Sequence, residues 1–426
     1  MKALKDFTKE ELQAFYEELK KEYADAQAKG LKLDMSRGKP GADQLDLTMP
    51  MLDVLSSKDV IKSEAGVDLR NYGIMDGIPE CKTLMKKFLE APEEQIIVFG
   101  AASLNIMFDF VGHGITHGIC GGKPWGEVKD RKWLCIVPGY DRHFAVTQYF
   151  GFENICVPMY DEGPDMDMIE KLVAEDESIK GIWCVPKYAN PTGLSFNDET
   201  VKRFANLKPA AKDFRIFWDN AYCIHHLYKD KQDKILNILD ECAKAGNPDM
   251  VYVFGSTSKV TFPGAGVAAM ASSPANIADF KSQMKWQTIG HDKINQLRHV
   301  KFFNTVTTIE DHMMKHADIL RPKFEMVVNM LEEELGELQI GRWTKPVGGY
   351  FISFWTPDGC AKAVVEKCKN AGVVMTPAGA TYPGGNDPHD SNIRIAPSLP
   401  PVEELKEATK LFALCVKLAA VEQLLK

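Results

Sequence analysis

The 426-residue chain contains no Cys-x-x-Cys pair, no apolar run approaching the length of a membrane span and no excess of positive charge. Its ten cysteines stand singly, at Cys81, Cys120, Cys135, Cys156, Cys184, Cys223, Cys242, Cys360, Cys368 and Cys415, and several interrupt apolar stretches such as 133–137. That usage fits buried, reduced thiols in a cytoplasmic protein and argues against a disulfide framework or a zinc site. The opening MKALKDFTKEEL lacks the apolar core of a secretory signal. With 51 Lys and Arg against 59 Asp and Glu, the net charge of −8 argues against a nucleic-acid surface while leaving room for a local basic pocket that takes anionic substrates. There is no internal repeat and no low-complexity tract. The expectation is a cytoplasmic protein without nucleic-acid, membrane or metal partners.

A chain of this length outgrows a single hydrophobic core, so two domains are expected. Thr8 and Glu11 have the spacing of a capping box at the start of a helix that Gly30 would stop, and SRGKPG (Ser36 to Gly41) must be a loop. From about residue 95, short apolar segments alternate with amphipathic ones. Strands are expected at 96–99, 133–137, 155–157, 181–185, 215–218, 251–254 and 267–271, which together make a mostly parallel seven-stranded α/β sheet covered by helices on both faces. Beyond about 302 the pattern becomes α+β. A long helix at 309–335 is followed by a strand at 349–355, a helix at 360–371, a strand near 392–395 and a last helix from 402. The expected units are 1–50, a helix and arm joining the small domain; 51–305, the large domain; and 306–426, the small domain.

Ligands of open α/β sheets bind beyond the carboxyl ends of the strands, and four strand ends here carry reactive residue types. The first runs into Gly100-Ala101-Ala102-Ser103 and a helix, where backbone N–H groups can reach a phosphate. Another runs into VPKYANPTG, which includes Asn190. A third ends in Asp219-Asn220-Ala221-Tyr222. A fourth ends in Gly255-Ser256-Thr257-Ser258-Lys259, a placement compatible with a Schiff-base or phosphate-binding lysine. Taken alone, each has a plain structural reading as a tight turn, a helix cap or a solvated charge.

The ordered set closely resembles the fold-type I pyridoxal-phosphate aminotransferases of class I/II, in the aspartate-aminotransferase-like subgroup, from about residue 30 to 400. VPKYANPTG and GSTSKVTFPGAG carry the likeness most clearly. The resemblance implies pyridoxal 5'-phosphate (PLP) held as a Schiff base on Lys259, which then moves the substrate proton. It implies that Asp219 pairs with the pyridine nitrogen, with His143 behind it, and that Asn190 and Tyr222 contact the ring 3-oxygen. Tyr140 would stack on the ring. The amides of Ala101 and Ala102, the Ser103 region, Ser256 and Ser258 would hold the phosphate. Tyr72 would reach the phosphate of a partner subunit, making a homodimer with shared active sites. Arg394 would grip the substrate α-carboxylate with help from the Gly38 amide. The chain departs from the common pattern in having no Arg within 260–267 and Ala101 and Ala102 where hydroxyls are usual.

The implied substrates are an amino acid, with aspartate favoured, and 2-oxoglutarate as acceptor. A distal carboxylate needs its own cation, for which Arg37, Lys39, Lys285 and Arg298 are the candidates. Rival readings are a β-lyase or decarboxylase on the same fold, or a silent binding protein. Only about 30 residues precede SRGKPG, too few for the DNA-binding domain of regulators with this fold. Three decoys are set aside. Gly264-Ala265-Gly266-Val267-Ala268-Ala269 matches a dinucleotide fingerprint but is expected to precede a strand rather than a helix. His113 and His117 have metal-pair spacing without the intervening Glu. His225-His226 reads as a loop feature.

Overall fold

The structure is a computed structural model and describes residues 2–426. The order across the main sheet is Ile96–Val98, Ala268–Ala271, Val251–Ser256, Arg215–Asp219, Ile179–Cys184, Lys132–Val137, Glu153–Tyr160 and Gly163–Pro164. Ala268–Ala271 runs antiparallel to both neighbours, and Gly163–Pro164 antiparallel to Glu153–Tyr160. The other pairings are parallel. The seven expected strands are all present. The eighth is a two-residue return of the edge strand, too short to leave a period-two signal in sequence.

Side-chain alternation divides the interior. Leu134, Ile136, Ile182, Ile216, Trp218, Val251 and Val253 face one core. Trp133, Cys135, Trp183, Phe217, Tyr252 and Phe254 face another, rich in aromatics. Successive residues of a strand point to opposite faces, so a sheet covered on both sides reads as a continuous apolar run. A fully buried ring such as Phe217 or Phe254 contributes roughly 1.5–3 kcal/mol. This rigid sheet brings the carboxyl ends of five strands, at Val98, Val137, Cys184, Asp219 and Ser256, to one edge.

A third core gathers the N-terminal helix Lys9–Ala28, the long helix Ile309–Leu335, Ala361–Asn370 and the last helix Val402–Leu424 around the antiparallel strands Arg342–Trp343, Ile352–Trp355 and Asn392–Ile395. The capping box is formed, with the Glu11 amide donating to the Thr8 hydroxyl and the Thr8 amide to the Glu11 carboxylate. The arm that follows pairs Leu33–Asp34 with Val373–Val374. Its neighbour Gly372 has φ +89°, and a Cβ there would lie 1.9 Å from the Leu31 carbonyl, so only glycine closes this junction. Among the described residues no helix is long and apolar enough to cross a membrane.

Candidate active site

Asp219 ends its strand with the parity of Phe217, so it points towards the aromatic core, where His143 stacks on Trp183 at 4.7 Å between ring centroids. His143 Nε2 stands 3.1 Å from Asp219 Oδ2, and both residues are buried. Asp219 Oδ1 is buried with no partner. An unpaired buried carboxylate oxygen is costly, so the pocket is built for a donor from its open side.

Lys259 follows the neighbouring strand on a turn pinned from behind. His299 Nε2 lies 3.2 Å from the Thr257 hydroxyl and 2.9 Å from that of Thr261, and Asn295 Nδ2 donates to the carbonyls of Ala265 and Gly266 at 3.1 and 2.9 Å. The Lys259 amine stands 4.9 Å from the centre of the Tyr222 ring. Burial pushes the Tyr222 phenol well above its usual range, and the Asn190 amide hydrogen-bonds it, an interaction that opposes the rise. Asn190 in turn accepts from Arg394 Nη1 at 3.2 Å. Tyr140 caps the helix Asp141–Tyr149, its ring edge-on to His143 at 4.9 Å, and burial pushes its phenol up to about 12.

Beside the lysine turn, the helix Ser103–His117 starts at Ala102 with no side chain capping its first amides. The Ser256 hydroxyl donates to that of Ser258 at 3.0 Å, and the Ser258 hydroxyl to the Ala101 carbonyl at 3.1 Å. Two hydroxyls therefore lie against a positive helix end, an arrangement suited to a phosphate. No arginine follows the lysine in this turn: Pro263–Ala265 forms a tight 3-10 turn that leads into a strand, as the decoy reading required.

Arg394 lies on Asn392–Ile395, its guanidinium carbon 4.8 Å from the centre of the Phe351 ring. Its Nε is buried without a partner, and Asp141 Oδ1 is 3.7 Å from Nη1. Gly38 belongs here too, since a Cβ at 38 would lie 2.0 Å from the Phe351 ring. Arg394 is thus a cation stacked on an aromatic face with a donor left over, a fit for a carboxylate.

Within one chain, Lys259, Asp219, Tyr222, Asn190, Tyr140, Ser256, Ser258, Ala101, Ala102, Ser103, Arg394 and Gly38 fall along this one cleft. Two further expected residues are exposed. Tyr72 is 80% exposed, and Arg37 is exposed on its loop. Of the other cationic candidates, Lys39 is also exposed, Lys285 lies over the exposed Trp286, and Arg298 donates to Asn295. His225, Tyr350, Phe351 and Asp141 are at the site although the sequence did not single out such roles. For Phe351 the signal was available in the close pairing of a Gly-rich turn with an apolar strand. Among the described residues no His, Cys, Asp and Glu group could hold a metal.

His225, His299, His312 and His316 are buried around the lysine turn, and the half-buried His226 stands against Tyr188. Burial lowers His225 and His316 to about 3, and His226 and His299 to about 4, from an ordinary 6.5. The folded state therefore binds fewer protons than the unfolded chain between these values and 6.5. Stability is full above pH 6.5 and falls as the pH drops towards 4. Thermal unfolding followed from pH 7.5 to 4 should give a level Tm at the upper end and a steep decline below 6.5; a Tm that stays level down to pH 4.5 would contradict this.

A mostly parallel sheet thus carries a lysine and an unpaired buried carboxylate at its carboxyl edge, with an arginine suited to a carboxylate supplied by the strand Asn392–Ile395 of the smaller sheet. The aspartate amino-transferase family model matches residues 7–426. An aspartate aminotransferase of Corynebacterium glutamicum is 42% identical over 421 residues, covering 99% of this chain and 97% of that protein. A Mycolicibacterium smegmatis protein is 44% identical over 419 residues, 98% of each chain. The crystal structure of an aspartate transaminase from C. glutamicum superposes with a TM-score of 0.96 at 42% identity, covering 99% of both chains. The chain belongs to the aspartate aminotransferase family and is a transaminase.

Proposed function

We propose that the protein transfers the amino group of aspartate to 2-oxoglutarate, using PLP bound to Lys259 as a Schiff base. The observation that carries the reading is the buried, unpartnered Asp219 Oδ1, at the end of the strand that pairs with the one leading to Lys259. A carboxylate backed by His143 fits a protonated pyridine nitrogen, and the serines and helix start fit the phosphate. When bound, the cofactor supplies the electron sink that lets the substrate α-proton leave. The chain's own residues do the rest. Asp219 would keep the ring nitrogen protonated, and Asn190 and Tyr222 would hydrogen-bond the ring oxygen. Tyr140 would cover the ring, Arg394 and the Gly38 amide would hold the α-carboxylate, and the Lys259 amine would carry the proton. The visible band of the purified protein should be lost on borohydride treatment, with the adduct on the peptide containing Lys259.

The choice of aspartate rests on the relative so named, and a donor panel with 2-oxoglutarate tests it. Arg394→Ala should lower kcat/KM about 10²–10³-fold for every donor, because each brings an α-carboxylate to be paired. If Arg37, Lys39, Lys285 or Arg298 holds the distal carboxylate, its alanine variant should lose aspartate activity selectively. A wild-type preference of tenfold or more for an aromatic or aliphatic donor would overturn the aspartate assignment and leave the transaminase intact.

The active unit in this reading is a cytoplasmic homodimer with shared sites. Tyr72 is exposed, and nearby Gly290, whose Cβ position lies 2.8 Å from the Gly73 carbonyl, joins the exposed Ile289 to the same surface. Chains carrying Lys259→Ala mixed with chains carrying Tyr72→Ala should regain up to about a quarter of wild-type activity, since one hybrid site is intact. A fully active monomer would refute it. The division at residues 50 and 305 belongs to the same reading and is supported by the separate core around the C-terminal helices.

A further inference from the structure

Lys259 sits on one helical turn, in which the amides of Val260 and Thr261 donate to the Thr257 carbonyl at 2.9 and 2.8 Å. Were the helix to continue, the carbonyls of Lys259 and Val260 would accept from residues 263 and 264. Residue 263 is proline, which has no N–H, and the chain turns away. Side chains take over. The Lys259 carbonyl accepts from the Tyr350 hydroxyl and from His225 Nε2, each at 3.3 Å. The Val260 carbonyl accepts from His312 Nε2 at 2.7 Å, and His316, whose Nε2 is 3.1 Å from His312 Nε2, turns to the same oxygen.

Gln44 fixes the proton assignment. The Gly41 amide donates to its Oε1 at 3.2 Å, so Nε2 faces inward and donates to His316 Nδ1 at 3.0 Å and to the Tyr350 oxygen at 2.9 Å. His316 therefore carries its proton on Nε2, and the one Tyr350 proton is left for Lys259. Gln44, His225, His312, His316 and Tyr350 are all buried. Such a closed network holds a single geometry.

We propose that Tyr350 and His225 are positioning residues for the reaction: by holding the main-chain carbonyl of Lys259 they set the direction in which its side chain leaves the turn. The proposal rests on the reading of Lys259 as the cofactor lysine. Tyr350 comes from the segment that also supplies Phe351 beneath Arg394 and packs Gly348 and Gly349 against Tyr188. The lysine is thus registered against the carboxylate-binding side of the cleft. A reacting group misplaced by about 1 Å costs on the order of 10²-fold in rate.

The test uses the PLP-loaded enzyme and reads kcat, KM and the pH at which the visible band of the bound cofactor titrates. Tyr350→Phe and His225→Leu should each lower kcat about 10–100-fold with the donor KM within about twofold, and move that titration by about half a pH unit or more. His225→Gln, which restores an N–H donor, should recover most of the loss. Variants that load cofactor normally yet keep the wild-type kcat and titration, whatever their Tm, overturn the proposal. Should neither fold, Gln44→Leu, which removes the donor to Tyr350, is read in the same way, and an unchanged kcat and titration overturns it. Wild type is first reduced with borohydride. An adduct on another lysine removes the underlying reading and this one with it, whereas an adduct on Lys259 with silent variants removes the positioning role alone.

Discussion

Lys259→Ala is expected to lower kcat/KM by about 10⁴-fold or more, because one side chain both holds the cofactor and moves the substrate proton. The loss should not come from unfolding. The turn is fixed by main-chain and neighbouring contacts: Thr257 and Thr261 to His299, and the Lys259 carbonyl to Tyr350 and His225. None of these uses the amine, whose mapped neighbour is the Tyr222 ring. The variant should match wild type in circular dichroism and Tm, and its protein should take up no cofactor on borohydride reduction. Turnover within a hundredfold of wild type would show that another base does the work.

Asp219→Asn is expected to lower kcat by about 10³-fold or more, the scale on which a preorganised charge acts in a closed site. The substitution preserves volume. His143 can still bond to the amide oxygen, but the group facing the open side becomes an N–H donor where Oδ1 now waits as an acceptor. A protonated ring nitrogen would then meet a donor and lose its proton, and the electron sink with it. The phosphate and lysine contacts are untouched, so cofactor should be retained at raised PLP concentration. Single-turnover kinetics would place the deficit in proton removal, and a near-normal rate would sink the role given to Asp219.

Much of the site could be read along the chain because its parts follow buried strands. Asp219 and Lys259 come directly after apolar runs, Asn190 and Tyr140 follow two others, and parallel strands deliver all of them to one edge whatever the details of packing. Arg394 stood out because a charge flanked by Ile393 and Ile395 on a strand is poorly explained as solvated. His225 and Tyr350 did not stand out. They lie 34 and 91 residues from the lysine they hold, and a histidine pair in a loop or a tyrosine after two glycines has no local pattern that names its partner. The two-residue strand Gly163–Pro164 was missed for a similar reason: it exists only as a return against its neighbour.

By itself the sequence determined the main strands and which residues stand at their ends, because apolar periodicity and residues next to strand ends are local properties, and the ordered set of those residues carried the resemblance to the family. Pro263 also has no N–H to offer the Lys259 carbonyl. Only the tertiary structure decided what takes the Lys259 carbonyl instead, which oxygen of Asp219 is left open, that Phe351 packs against both Gly38 and Arg394, and that Tyr72 is exposed. Those are contacts between segments far apart in the chain. Their geometry is set by the packing of whole cores, and no spacing within the sequence encodes it.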